Sequence, residues 1–152
     1  MKKLFAIVLT FAMLSSLPVT AFAANTTGGE ADITTSIAPT YTVTIPADVN
    51  VAFNATKTAF GTIEVTASQI HPDKCIKVAL TTDNELNNAI DNTKVIPYAI
   101  KDSTGAAFTS ATYLTEGDKT ELSIHITADD WNAAYAGDYS DTVTFTVSYE
   151  DK

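Results

Sequence analysis

Residues 142–149 read Thr-Val-Thr-Phe-Thr-Val-Ser-Tyr, so that Val143, Phe145, Val147 and Tyr149 alternate with hydroxylated side chains. Successive side chains of a β-strand point to opposite faces of its sheet. The alternation therefore predicts a strand with one buried and one solvated face. This stretch is the longest and most regular of its kind in the chain, and it indicates a β-sheet protein.

The same period of two recurs along the rest of the chain and predicts about seven or eight short strands. Turn-forming residues separate these runs and leave no room for long helices between them. Strands connected in this way favour an all-β fold, an antiparallel two-sheet sandwich over residues 39–152. The runs that carry the alternation are residues 41–45, 49–53, 63–65, 76–80, 96–100, 122–126 and 143–149.

One segment departs from this pattern and predicts a short helix near residues 129–136. Trp131 shares a helical face with the residues three and four positions further on. Thr127 or Asp129 can cap the start of the helix, and Gly137 can end it. We expect this segment to carry the chain from one sheet to the other.

The first 23 residues have the order of an export signal. Two lysines precede an apolar run over residues 4–14, and Ala21-Phe22-Ala23 ends the segment with small side chains. We predict cleavage after Ala23 and a secreted product at the cell surface or outside the cell. Because the apolar run is shorter than the roughly 18 residues of a membrane-spanning helix, no membrane insertion is expected after cleavage. Residues 24–38 are predicted to form a flexible leader that could serve as a donor strand.

The charge of the chain excludes several classes of partner. It has 9 lysines, no arginine and 18 acidic residues, for a net charge of −9. Removal of the signal would take Lys2 and Lys3 with it and leave 7 basic against 18 acidic residues, a net charge of −11. Phosphate backbones and anionic lipid surfaces would be repelled, so we expect no nucleic-acid partner.

Residues 131–149 read Trp-Asn-Ala-Ala-Tyr-Ala-Gly-Asp-Tyr-Ser-Asp-Thr-Val-Thr-Phe-Thr-Val-Ser-Tyr. This stretch resembles the closing motif G-x-Y-x-D-x-V-x-V/F-x-V of secreted bacterial sandwich domains. It is similar in particular to the terminal strand of the spore coat protein U family and of archaic chaperone-usher fimbrial subunits. The resemblance implies an immunoglobulin-like sandwich in a surface structure, assembled in some members by one subunit lending a strand to the next. Those fimbrial families often carry a disulfide, whereas Cys75 is the only cysteine of this chain.

The residues that could support catalysis are few. His71 and His125 are the only histidines, the side chains that most often act as catalytic bases. His125 is predicted on the solvated face of its strand, and a pair of Cys75 with His71 lacks the surrounding signature of a cysteine nucleophile. We therefore predict no catalytic residues and no cofactor, and interpret the protein as not an enzyme.

Acidic residues concentrate in two places, residues 83–92 and 129–141. Carboxylate oxygens in loops can hold calcium, but neither stretch has the spacing of a calcium-binding loop. Turn formation and helix capping explain the same residues, so no metal site is predicted.

Trp131, Tyr135 and Tyr139 form the single concentration of aromatic residues and are the candidate ligand-binding residues. Exposed rings of this kind stack on sugars. In the alternative interpretation, Trp131 packs under the edge of the sandwich and Tyr139 is a corner tyrosine whose hydroxyl binds nearby backbone.

The predicted function is a secreted, non-catalytic structural or adhesive component of the bacterial cell surface or extracellular matrix. Its expected partners are further copies of itself or other surface proteins, and glycans are a further candidate. Self-association could use an exposed edge strand or the segment Ala31 to Ile37, because an unpaired edge accepts an added strand. The alternative function is a small carbohydrate-binding module.

Overall fold

The computed structural model describes residues 8–12, 30 and 32–152, and over these residues the protein is all-β with one short helix. This confirms the predicted fold class. The helix, α1, covers Ala128–Ala133. The strands in chain order are β1 Val8–Ala12, β2 Thr40–Thr44, β3 Lys57–Gln69, β4 Lys74–Thr81, β5 Glu85–Asn88, β6 Val95–Pro97, β7 Ala99–Asp102, β8 Ser110–Tyr113, β9 Lys119–His125, β10 Tyr139–Ser140 and β11 Thr144–Asp151.

The described strands form three antiparallel sheets rather than two. The largest has the order β1-β2-β3-β9-β7, and the other two have the orders β11-β4-β8 and β10-β5-β6. Residues 82–84 separate β4 from β5, and residues 141–143 separate β10 from β11. β4 pairs with β11, and β5 pairs with β10. Because both chain segments leave the strand conformation between these two pairs, the second layer is divided into two short sheets.

The core lies between the large sheet and the second layer, and both small sheets of that layer contribute to it. Ring contacts join the two layers at one side: the centroids of Tyr41 and Tyr149 are 5.8 Å apart, and those of Phe60 and Phe145 are 6.0 Å apart. β2 and β11 therefore face each other across the layers. The largest fully buried side chains are Ile63, Ile76, Ile96, Ile126, Val65 and Val78.

A glycine permits the close approach of the chain that follows β2. Gly61 has a φ of +138°, and a Cβ at this position would lie 3.0 Å from Cβ of Pro46. The register of β3 against β9 shifts between Ala59 and Gly61. This irregularity lets the connection after β2 cross the first half of β3.

The helix forms at the predicted place but ends earlier than predicted. Thr127 is its N-cap and forms a capping box with Asp130. In this box the side chain of each residue accepts a hydrogen bond from the backbone nitrogen of the other. The predicted end at Gly137 is wrong, because the cap residue Ala134 is already extended, with φ −70° and ψ 141°. The hydroxyl of Tyr139 bonds to both backbone groups of Tyr135 and holds the following residues outside the helix.

Several predicted boundaries differ from the structure. The strand predicted over residues 49–53 is absent, since residues 46–56 form an irregular connection between β2 and β3. β5 lies within residues 83–92, where the sequence predicts turns. The sequences of β8 and β10 show no clear alternation. Within the predicted signal, residues 8–12 form β1 and pair with β2; residues 1–7 and 13–23 lie outside the described residues, as do residues 24–29 and Ala31 of the leader. In the described part of the chain, no helix has the length and apolar character to cross a bilayer.

Candidate functional site

The structure places the three candidate aromatic residues around α1 and β10. Trp131 is half-buried, and its indole Nε1 donates a hydrogen bond to the backbone oxygen of Ala55 at 3.0 Å. The ring of Phe53 meets it edge to face, with centroids 5.6 Å apart. Tyr135 is exposed, and Nζ of Lys94 lies 5.1 Å from the centroid of its ring.

Tyr139 occupies a corner at the start of β10. It is half-buried, and its hydroxyl donates to the backbone oxygen of Tyr135 at 3.0 Å and accepts from the backbone nitrogen of the same residue at 3.1 Å. The polar ends of Tyr139 and Trp131 are thus both satisfied inside the protein. Of the three candidate rings, that of Tyr135 is the exposed one.

A cavity of about 690 Å³ lies between the connection that follows β2 and the segment that leads through β10 into β11. Trp131 and Tyr139 line this cavity, whereas Tyr135 does not. Its wall includes buried side chains of both layers, so the cavity reaches into the core. Ile96, Ile100 and Ile124 supply that part of the wall.

A polar cluster that sequence reasoning missed sits beside the cavity, at the strand breaks. The hydroxyl of Tyr98 donates to Oδ2 of Asp141, and Thr82 Oγ1 lies 2.8 Å from that hydroxyl and 3.2 Å from the carboxylate oxygen. Burial, together with the hydrogen bond to Asp141, raises the pKa of Tyr98. The cluster ties the gap after β4 to the gap before β11. Asp141 belongs to the quoted closing motif, but its partners are 43 and 59 residues away in the chain.

Cys75 and His71, the candidate nucleophilic pair, each contact β11. Cys75 is buried, and its Sγ lies 3.6 Å and 3.7 Å from the backbone oxygens of Glu150 and Asp151 on β11. The backbone nitrogen of His71 donates to the hydroxyl of Tyr149 at 2.9 Å. Both contacts fasten β11 to the sheet.

His125 lies on the strand face opposite buried Leu122 and Ile124, as predicted, but it is half-buried rather than fully solvated. β9 lies between β3 and β7 in the large sheet, so that Lys57 of β3 and Ala99 of β7 flank His125. Ser123 is buried, and its Oγ lies 3.0 Å from Nε2 of His125.

Burial lowers the pKa of His125, and the nearby lysines Lys101 and Lys57 lower it further. The unfolded chain therefore binds a proton at a higher pH than the folded protein does, and stability is lost as the pH falls through the ordinary histidine range. We expect the free energy of unfolding, measured by urea denaturation, to decrease between about pH 7.5 and about pH 5.5. His125→Gln should weaken this decrease. An identical decrease in that variant would contradict the assignment.

Several aspartates of the acidic stretches and turns accept backbone hydrogen bonds. Asp91 Oδ1 accepts from the nitrogen of Thr93 at 3.0 Å, and Asp118 Oδ2 accepts from that of Leu114 at 2.7 Å. Hydrogen bonds from the hydroxyl and then the backbone nitrogen of Thr93 lower the pKa of Asp91, and backbone hydrogen bonds lower the pKa of Asp118. Across residues 32–152, no three His, Cys, Asp or Glu side chains come together in a way that could hold a metal ion.

β2 and β11 lie on the side where the layers face each other through Tyr41 and Tyr149. β2 pairs with β3 on one side and with β1 on the other. β11 pairs along its eight residues with β4, and within the described chain its other edge pairs with no strand. The segment just before β2 has neither helix nor strand, and it exposes Ile33 by 99% and Ile37 by 61%.

Comparisons of this chain with protein-family models, with curated proteins and with solved structures give no match.

Proposed function

We propose that this protein is an exported, non-catalytic structural or adhesive component of the bacterial cell surface or extracellular matrix, and that its copies associate by strand addition. The observation that carries the proposal is the exposed segment before β2, next to strand edges that can accept a further strand. Ile33 is almost fully exposed and Ile37 is largely exposed, although both side chains are large and apolar. Exposed apolar side chains in an unpaired segment are typical of a surface that a partner covers.

The edge of β2 is a suitable acceptor. β1 lies on it in an antiparallel register, with Val8 opposite Thr44 and Ala12 opposite Thr40. The edge can therefore hold a five-residue strand. Because the sequence predicts that β1 is removed with the export signal, we infer that the mature protein leaves this edge open.

Pro39 favours a donor from a second copy over a donor from the same chain. If residues 32–37 folded back on β2, Ala38 and Pro39 would form the two-residue turn. The favoured hairpin turns need a positive φ at their first residue or at both, and the proline ring holds φ near −65°. Alanine is also a poor residue at positive φ. A tight two-residue hairpin between this segment and its own β2 is therefore disfavoured.

The charge of the chain limits which forces can drive this association. Copies of the chain from residue 24, with 7 basic and 18 acidic residues and a net charge of −11, repel one another at long range. Backbone hydrogen bonds along the edge and burial of the isoleucines must supply the affinity. We accordingly expect association to strengthen when salt screens the repulsion.

Deletion of residues 24–38 tests the proposal. We expect the chain from residue 24 to form polymers in size-exclusion chromatography with light scattering, and the chain from residue 39 to be a folded monomer. Circular dichroism should give the same strand signal for both, because the deleted segment makes no sheet contacts in the described residues. Polymers of the shorter chain would contradict the mechanism, and a monomeric longer chain would contradict self-association itself.

The alternative function, a small carbohydrate-binding module, has one supporting observation. The ring of Tyr135 is exposed, and α1, which carries Trp131, immediately precedes it in the chain. A sugar could stack on Tyr135 and extend towards the cavity that Trp131 lines.

A further inference from the structure

We propose that the cavity lined by Trp131 binds a small organic cation, a ligand with an apolar body and one ammonium group. This inference is independent of strand addition, because it concerns the space between the layers rather than a strand edge. It depends on three features of the cavity: its depth, its aromatic wall and the sign of its charged groups.

The cavity is large and deep enough for a small molecule. Its volume of about 690 Å³ lies within the range of natural ligand pockets. Ile96, Ile100 and Ile124 form its inner wall and are buried in the core. The apolar part of a ligand would therefore be transferred from water to contact with these apolar side chains, which is favourable.

The outer wall is rich in aromatic rings. Phe60 and Phe145 contact each other across the layers, and Trp131 meets Phe53, which is 77% exposed. All four rings, together with Tyr139, line the cavity. The faces of aromatic rings attract cations, and indole attracts them most strongly. An ammonium group held near the mouth would lie close to such rings.

The charged groups of the lining all have one sign. The lining includes three carboxylates, those of Asp48, Asp138 and Asp141, and it includes no lysine, arginine or histidine. Asp141 is engaged by Tyr98 and Thr82. The side chains of Asp48 and Asp138 are exposed and make no hydrogen bond or ion pair with other residues of the described chain. Two carboxylates are thus free to balance a cation, whereas an anionic ligand would be repelled.

The experiment uses the single tryptophan of the chain as its reporter. The chain from residue 24 is titrated with octyltrimethylammonium, octanoate and octyl glucoside, which share one apolar body and differ in the head group. We expect a saturable change of Trp131 emission with octyltrimethylammonium, at concentrations where octanoate gives none. Light scattering on the same samples follows association separately, so failure of this inference is distinguishable from failure of strand addition.

Paired variants test the role of the carboxylates. Asp48→Asn with Asp138→Asn should weaken binding of octyltrimethylammonium by about 3- to 10-fold. Asp73→Asn with Glu121→Gln removes the same charge from exposed positions outside the lining and should leave the affinity unchanged. Thermal denaturation checks that both double variants are folded.

Each other outcome overturns the proposal. Equal or tighter binding of octanoate would show that the apolar wall alone selects the ligand. Tightest binding of octyl glucoside would favour the carbohydrate alternative. An unchanged affinity in Asp48→Asn with Asp138→Asn would remove the electrostatic argument. Stronger emission changes with a synthetic peptide of residues 30–38 would assign the cavity to the donor segment instead.

Discussion

The double variant Ile33→Asp with Ile37→Asp is expected to stay monomeric where the unmodified chain from residue 24 forms polymers. The two isoleucines lie four residues apart and share one face of an extended segment. Burial of an isoleucine contributes about 1.5–3 kcal/mol, so loss of both should weaken association by 100-fold or more, at about 1.4 kcal/mol per tenfold. The fold itself should be unaffected, because both side chains are exposed. Light scattering over a concentration series measures the change.

A matched control separates burial from charge repulsion. Thr34→Asp with Ser36→Asp adds the same two charges to the same exposed segment, but on the opposite face of an added strand. We expect this variant to keep most of the association. Equal loss in both double variants would show that added negative charge alone prevents assembly.

Amide hydrogen exchange identifies the acceptor edge in the same samples. Addition to β2 should slow the exchange of amides within residues 40–44 on assembly. Protection within residues 144–151 instead would move the acceptor to β11 and contradict the choice of β2. The two outcomes are distinguishable because, in the chain from residue 24, which lacks β1, β2 pairs with β3 and β11 pairs with β4, each along one edge.

The substitution Ile76→Ala is expected to destabilise the protein by about 2–5 kcal/mol. Ile76 has 0% of its side chain exposed and lies on β4, the central strand of the β11-β4-β8 sheet. Its truncation removes buried apolar surface and leaves a cavity that both layers must close. Domains of this kind are stable by about 5–15 kcal/mol, so the loss is a large fraction of the total. Urea denaturation at constant pH measures it.

The same substitution at an exposed position is the control. Ile90 is 90% exposed in the connection after β5, and Ile90→Ala should change the free energy of unfolding by about 0.5 kcal/mol or less. A loss at Ile76 that matches the loss at Ile90 would mean that the two layers do not form a packed core.

β2, β9 and β11 could be predicted from the sequence because apolar residues recur at every second position in each. β11, β2 and β9 alternate apolar and polar residues, and the structure buries the apolar members of each at least in part. The short strands β5, β8 and β10 could not be predicted in this way. β5 reads Glu-Leu-Asn-Asn, and its pairing with β6 and β10, rather than its own pattern, makes it a strand.

The strand predicted over residues 49–53 shows the opposite case. Val49, Val51 and Phe53 alternate as a strand would, but the chain after Pro46 has no backbone ladder to join. Phe53 instead meets Trp131, and Val51 packs at the rim of the core. Alternation with a period of two is therefore insufficient for a strand without a neighbouring edge.

The candidate site was predictable only where its contacts are local. The corner position of Tyr139, bonded to the backbone of Tyr135 four residues earlier, follows from the short spacing in the closing motif. The contact of Trp131 with Ala55 spans 76 residues, and that of Tyr98 with Asp141 spans 43. No periodicity in the sequence indicates which distant residues such side chains will meet.

The amino-acid sequence alone determined that this chain forms half-buried strands, that one short capped helix interrupts them, and that the surface is acidic. These properties depend on neighbours a few residues apart, where side-chain direction and hydrogen-bonding capacity act directly on the backbone. Tertiary structure alone decided the division of the second layer, the cavity beside Trp131 and, among the described residues, the unpaired edge of β11. Those features depend on which strands come to lie side by side, and that is set by the packing of the whole core rather than by any one segment.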